Sequence, residues 1–150
     1  MSNSQATAAD AELILKLYDL RREPVMREAR KYVFEFAPQS IDDVMKVMGD
    51  FSSKENAYLR QVFGYWGMAA SLVLRGALNE DLARDNFTEL LFVYAKFEPF
   101  LPEIRKRTGM DIFGANMQKF VESSADAGQR VAHFQERFAA ARAEAVGQHA

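Results

Sequence analysis

From residue 61 to residue 74 the chain is apolar, aromatic or small on nearly every side of a helix wheel, and Arg60 and Arg75 bracket the run. A helix without a polar face must be buried all round, so this stretch predicts a central rod over about residues 53–76 around which other helices pack. At about 1.5 Å per residue the apolar run covers roughly 21 Å, short of the roughly 30 Å of bilayer hydrocarbon. It reads as the core of a soluble protein with no membrane span.

The flanking segments carry one apolar face each. Leu13, Ile14, Leu17 and Leu20, with Glu12, Lys16 and Asp19 opposite, predict an amphipathic helix over 10–22. Pro24 starts or kinks a second one bearing Val25, Ala29, Tyr32, Val33 and Phe36, and Pro38 stops it. Ser40 can cap a short helix that buries Ile41, Val44, Met45 and Met48 and ends near Gly49. Ser52 and Glu55 have the spacing of a capping box for the rod, and Gly76 is its terminator. Asn79, followed by Glu80 and Asp81, caps a helix whose face runs through Leu82, Phe87, Leu90, Leu91, Tyr94 and Phe97. Pro99, Pro102, Gly109 and Gly114 then predict a turn, a short helix over 102–107 and a loop.

Beyond the loop, Phe120, Ser124, Ala127, Val131, Phe134, Phe138, Ala141 and Ala145 recur at steps of four and three, the heptad spacing of one long final helix, with Gly128 its weak point. No run alternates as a strand would. The expectation is an all-α, single-domain helical bundle over 10–146, with roughly five to seven helices around the central apolar one. Residues 1–9 read as a disordered tail and 147–150 as a frayed end. The core should include Leu17, Val33, Met45, Val62, Phe63, Trp66, Leu90, Tyr94 and Phe134. A repeated Glu-Pro-x-x-x-Glu-x-Arg-Lys, at 23–31 and 98–106, reads as two independent helix starts with Pro in the first turn.

With 150 residues, 49% hydrophobic, the chain can bury a core without metal or disulfides. A net charge of −2 gives no general attraction to phosphate backbones or anionic lipid, so no nucleic-acid partner is expected. The absence of cysteine excludes disulfides, thiolate catalysis and cysteine-bound zinc. The first dozen residues lack the basic-then-apolar order of a signal peptide, which suits a cytoplasmic, bacterial-type protein.

The residues of catalysis are sparse. A carboxylate-bridged di-iron site wants Glu-x-x-His motifs, but His133 precedes Glu136 and His149 lies at the tail, so no metal site is expected. No Gly-x-Ser-x-Gly elbow presents a serine, and Ser71 inside the rod should bond a carbonyl one turn back. The dispersed glycines form no phosphate cradle, and no cofactor motif is present. Gly64 and Gly67 read as sites of close helix approach, with a binding notch as the other reading.

Two groups could still bind something. Arg27 with Arg30 or Lys31 places two cations on one helical face, able to grip a phosphate or carboxylate. The other reading is a solvated face in which Glu23 pairs with Arg27, Asp19 with Arg22 and Glu28 with Lys31. Arg105, Lys106 and Arg107 suit the negative end of a short helix. Phe63, Tyr65 and Trp66, with Tyr94 and neighbouring phenylalanines, could line an apolar pocket or fill the core.

Residues 62–82, the helix to Phe97, the basic segment after Pro102 and the leading residues 17–30 together resemble an uncharacterised bacterial domain-of-unknown-function family of small helical proteins, over about residues 13–108. The resemblance implies the helical fold and carries no activity onto any residue. Where that family's aromatic helix often holds an Asn and a Glu, this chain has Gly64 and Gly67, so a polar role there is lost. Some members carry an N-terminal membrane helix, and none is expected here.

Three functional classes follow. The first is a non-enzymatic interaction or structural protein, self-associating through Val131, Phe134 and Phe138 as a homodimer or meeting an unknown protein partner. The second is a bundle binding a small apolar or anionic ligand through Trp66, Tyr94, Arg27 and Arg30. The third is an enzyme acting through Asp, Glu or Tyr, which leaves no spacing signature. A cavity of a few hundred Å³ reaching Trp66 or Tyr94 favours the second; a closed core with a large interface favours the first.

Overall fold

The computed structural model describes residues 5–148, which form nine α-helices and no strand. In chain order these are α1 (Ala8–Leu20), α2 (Pro24–Glu35), α3 (Ile41–Met48), α4 (Lys54–Leu74), α5 (Glu80–Asn86), α6 (Thr88–Phe97), α7 (Leu101–Thr108), α8 (Ala115–Glu122) and α9 (Ala125–Gln148), with a 3-10 turn (Glu98–Phe100) between α6 and α7. This is the expected all-α bundle around one central helix, divided more finely than its apolar periodicity suggests.

Capping explains the finer division. Phe87 leaves helical geometry (φ −102°, ψ 36°), so the run expected from Asn79 to Phe97 splits into α5 and α6. The expected final helix splits as well: the Ser124 hydroxyl accepts from the Ala127 amide at 3.3 Å, acting as the cap of a new helix rather than a heptad position. The rod is capped by Ser53, which accepts from Asn56 N at 3.0 Å, one residue later than expected, while Ser52 bonds Asp50. Ser40 and Asp43 form a capping box on α3, Glu23 caps α2 just before Pro24, and Asn79 caps α5. Gly76 takes φ +77° just past α4, a left-handed position where glycine has no Cβ penalty.

At the N-terminal end α1 begins at Ala8 on a Thr7–Asp10 capping box. Asp10 also accepts from the Asn79 amide at 2.9 Å, joining the starts of α1 and α5. Residues 1–4 and 149–150 of the expected tails, with His149, lie outside the described residues.

Helices α2 and α8 lie along α4, and α9 lies along α6. Leu59, Val62, Phe63, Trp66, Ala69, Ala70 and Val73 are buried along one face of the rod, while Met68 and Leu74 are 41% and 39% exposed, so the burial on every side expected from the apolar run is not found. Of the expected core, Met45 and Phe134 are half-buried and the rest buried. Val25 is 51% exposed, and Met26 takes the core position beside Ala29 and Val33. The close approach expected at Gly64 and Gly67 is absent: a Cβ at either site would meet nothing within 4 Å, since the chain opposite, around Phe113 and Gly114, stands off and leaves a notch. Among the described residues no helix is long and apolar enough to cross a membrane.

Candidate functional site: a groove between α2, α6 and α9

Three charged side chains meet where α2 and α6 pass the rod. Arg30 on α2 donates through Nε to both carboxylate oxygens of Glu89 on α6, at 2.9 and 3.0 Å. The same carboxylate accepts from Trp66 Nε1 on α4 at 3.1 Å, so the one tryptophan is held by a group it shares with an arginine. Arg21, in the turn after α1, completes the cluster. Its guanidinium lies 5.4 Å from the Trp66 and Tyr18 ring centroids, a cation–π arrangement, and its backbone carbonyl accepts from Arg30 at 3.3 Å.

Charge in this cluster does not cancel. Glu89 is engaged by Arg30 and Trp66, while Arg21 Nε is buried with no acceptor in reach. The Arg21 guanidinium meets aromatic faces and no carboxylate, so an anion that reaches its outer nitrogens gains a charge-assisted hydrogen bond. Two cavities open at this residue. One, of 270 Å³, reaches Trp66, Tyr65 and Phe87; the other, of 330 Å³, is bounded by Arg30, Glu89, Val62, Phe92 and Phe134.

The second cavity adjoins a third. Phe34, Phe92 and Phe134 wall both it and a 540 Å³ groove that runs on past Phe138 to Ala141 and Ala145. Phe34 stacks on Phe92 at 5.2 Å, and Phe134 and Phe138 meet Phe92 edge-on at 5.5 and 5.3 Å. At its floor Lys96, 8% exposed, donates to the Val33 and Phe34 carbonyls, both at 2.8 Å, at the end of α2. Burial pushes this ammonium down to about 8, and the Phe92 and Phe138 faces, 4.8 and 5.5 Å away, oppose that shift.

A family model for a domain of unknown function, DUF4760, matches residues 6–124, most of the chain. The chain belongs to that family. Among curated proteins and solved structures nothing matches. The DUF4760 match ends at Ser124, the cap of α9, so the groove has two walls inside the matched region, α2 and α6, and a third outside it.

Within this DUF4760 bundle the residues singled out for ligand binding separate. Trp66 and Arg30 come together on Glu89, but Arg27 is exposed on another face of α2, because Arg30 turns inward to the carboxylate. Tyr94 is buried beside neither, and burial pushes its hydroxyl up to about 12. The surface pairs expected along α2 give way to other contacts: Glu23 is spent on its cap and Glu28 accepts from Tyr58 at 2.7 Å. Val131, Phe134 and Phe138 face α6 of their own bundle, with Val131 buried. Gln135 and Arg130 pin this docking through Ala95 O and Thr88 Oγ1 at 3.2 and 2.7 Å.

Sequence reasoning missed Arg21, Glu89 and Lys96. Lys96 had a signal, being the lone cation on a helix otherwise apolar from Leu90 to Phe97. Glu89 and Arg21 had none, since their meeting depends on how α1, α2 and α6 cross. Among the described residues no three His, Cys, Asp or Glu side chains gather as metal ligands, and no two buried carboxylates face each other.

Proposed function

We propose that this chain is a non-enzymatic binding protein whose groove between α2, α6 and α9 takes a ligand with an anionic group and an apolar body. The observation that carries the reading is the half-buried Arg21 guanidinium, which has aromatic faces but no carboxylate partner and lines two cavities beside Trp66. An anion placed there pairs with the guanidinium and neutralises the surplus charge of Arg21, Arg30 and Glu89. The phenylalanine walls supply the apolar contact that a small-molecule site needs. Residence in the cytoplasm of a bacterium belongs to the same proposal.

Self-association is the second reading. It is favoured by α9 from residue 139 to residue 148, where every side chain is exposed and no other element covers the helix. A two-fold contact between the free halves of two α9 helices would cover it. Native mass spectrometry of freshly purified protein separates the two readings. A monomer carrying a displaceable small anion supports binding; a bare dimer supports self-association and counts against the groove.

A further inference from the structure

The shape and charge of the groove narrow the ligand class. The cavity at Arg21 and the groove at Phe138 share Phe34, Phe92 and Phe134, so they adjoin as two lobes of a trough crossed by these packed rings. Helix rise gives its length: from Thr88 to Lys96 on α6 is about 12 Å, and from Phe134 to Ala145 on α9 about 16 Å. Such a trough suits a chain better than a compact ring system.

Charge sets the direction in which a chain would lie. Lys96, in the far lobe, is already bonded to two carbonyls under two aromatic faces, whereas the Arg21 guanidinium, in the near lobe, has aromatic faces and no oxygen partner. Arg21, Arg30 and Glu89 leave one net positive charge, which matches a monoanion. A phosphate dianion would press its second charge against Glu89. A second copy's α9 end is also a poor occupant, because Arg137 and Arg142 already rim the groove and the same cations would arrive with the copy.

Resting on the binding reading above, we infer that the groove holds one long-chain carboxylate, its headgroup on Arg21 and its acyl chain laid over Phe34, Phe92 and Phe134 toward Ala141 and Ala145. Each methylene buried along that path tightens binding about fourfold at most, until the chain passes the end of the groove.

Emission from Trp66, the single tryptophan, touching both Arg21 and Glu89, reports occupancy. Octanoate, decanoate, dodecanoate and tetradecanoate, each below its micelle concentration, are titrated into the full chain, beside dodecanol, acetate and inorganic phosphate. The expected result is affinity rising threefold to fourfold per methylene to a plateau, with dodecanol at least tenfold weaker than dodecanoate. Arg21→Gln should remove that difference. Ala141→Phe, at an exposed position that leaves the fold intact, should bring the plateau to shorter chains. Dodecanol binding as tightly as dodecanoate overturns the headgroup assignment, and acetate or phosphate binding as tightly overturns the acyl path; in either case the broader binding reading survives. Silence from every probe overturns both. Binding only to phosphatidylglycerol vesicles overturns the inference in favour of a membrane surface.

Discussion

The two longest helices, α4 with 21 residues and α9 with 24, have opposite fates. Helix α4 carries two glycines and no clean amphipathic stripe, yet it buries side chains from Asn56 to Val73. Helix α9 has the better heptad spacing and buries only Ala127 and Val131, with Arg130, Phe134, Gln135 and Phe138 half-covered and the rest exposed. Burial is therefore decided by what neighbouring elements leave available. The rod packs one face along its whole length against α2, α3 and α8, whereas α9 finds one partner face, on α6 and α8, and runs past it. The same mismatch makes the groove, because α9 stands beside α2 without closing on it.

The largest test of this contrast removes Trp66. Its indole is 1% exposed and packed on Tyr65 and Phe87, so Trp66→Ala should cost about 3–5 kcal/mol in urea unfolding. A loss below about 1 kcal/mol would mean the rod is not the organising core. On α9, Phe138→Ala should cost less, about 1–2 kcal/mol, because half of its ring already meets water and its contacts are with Phe92, Phe134 and Lys96. Equal losses from the two substitutions would erase the contrast.

Alkaline pH probes the rod and its neighbour α6 differently. Burial pushes Tyr65 and Tyr94 up to about 12, and the Tyr65 hydroxyl donates to the Leu17 carbonyl. Above pH 10 the unfolded state releases these protons while the folded state keeps them, so stability falls as pH rises from 10 to 12. Discounted for partial solvent screening, the loss is about 1–2 kcal/mol. Ultraviolet titration should show these two of the five tyrosines ionising last, together with unfolding. Ionisation of all five near pH 10 with the fold intact would contradict the burial.

Two smaller effects sharpen the picture. Gly64→Ala should stabilise by about 0.5–1 kcal/mol, because the added methyl meets nothing within 4 Å and the helix loses a flexible residue. Destabilisation would restore the close helix approach expected there. Deleting residues 141–148 should change stability by less than about 0.5 kcal/mol, since all are exposed, and should shorten the groove.

Much of the fold was legible because caps and periodicity are local. Ser40, Gly76 and Asn79 mark their helix ends as read, and Pro24 and the aromatic rod behave as their neighbours dictate. The breaks at Phe87 and Ser124 were hidden, the first without a capping side chain and the second under a serine that also fits the heptad. The site was less legible. Arg30 and Trp66 could be named, but their partner Glu89 lies 59 and 23 residues away in sequence, and no spacing rule joins them. Arg27 looked equivalent to Arg30 because helical spacing cannot say which cation meets a carboxylate from another helix.

Hydrogen exchange along the two long helices tests the account most directly. If α9 docks on its own bundle and leaves its last turns free beside an open groove, α4 amides should exchange only through global unfolding. Amides of α9 should then be protected through Phe138 and unprotected from Ala139 on, at every protein concentration. Protection reaching Gln148, and growing with protein concentration, would mean that a second copy covers α9 and that the groove is an interface between chains.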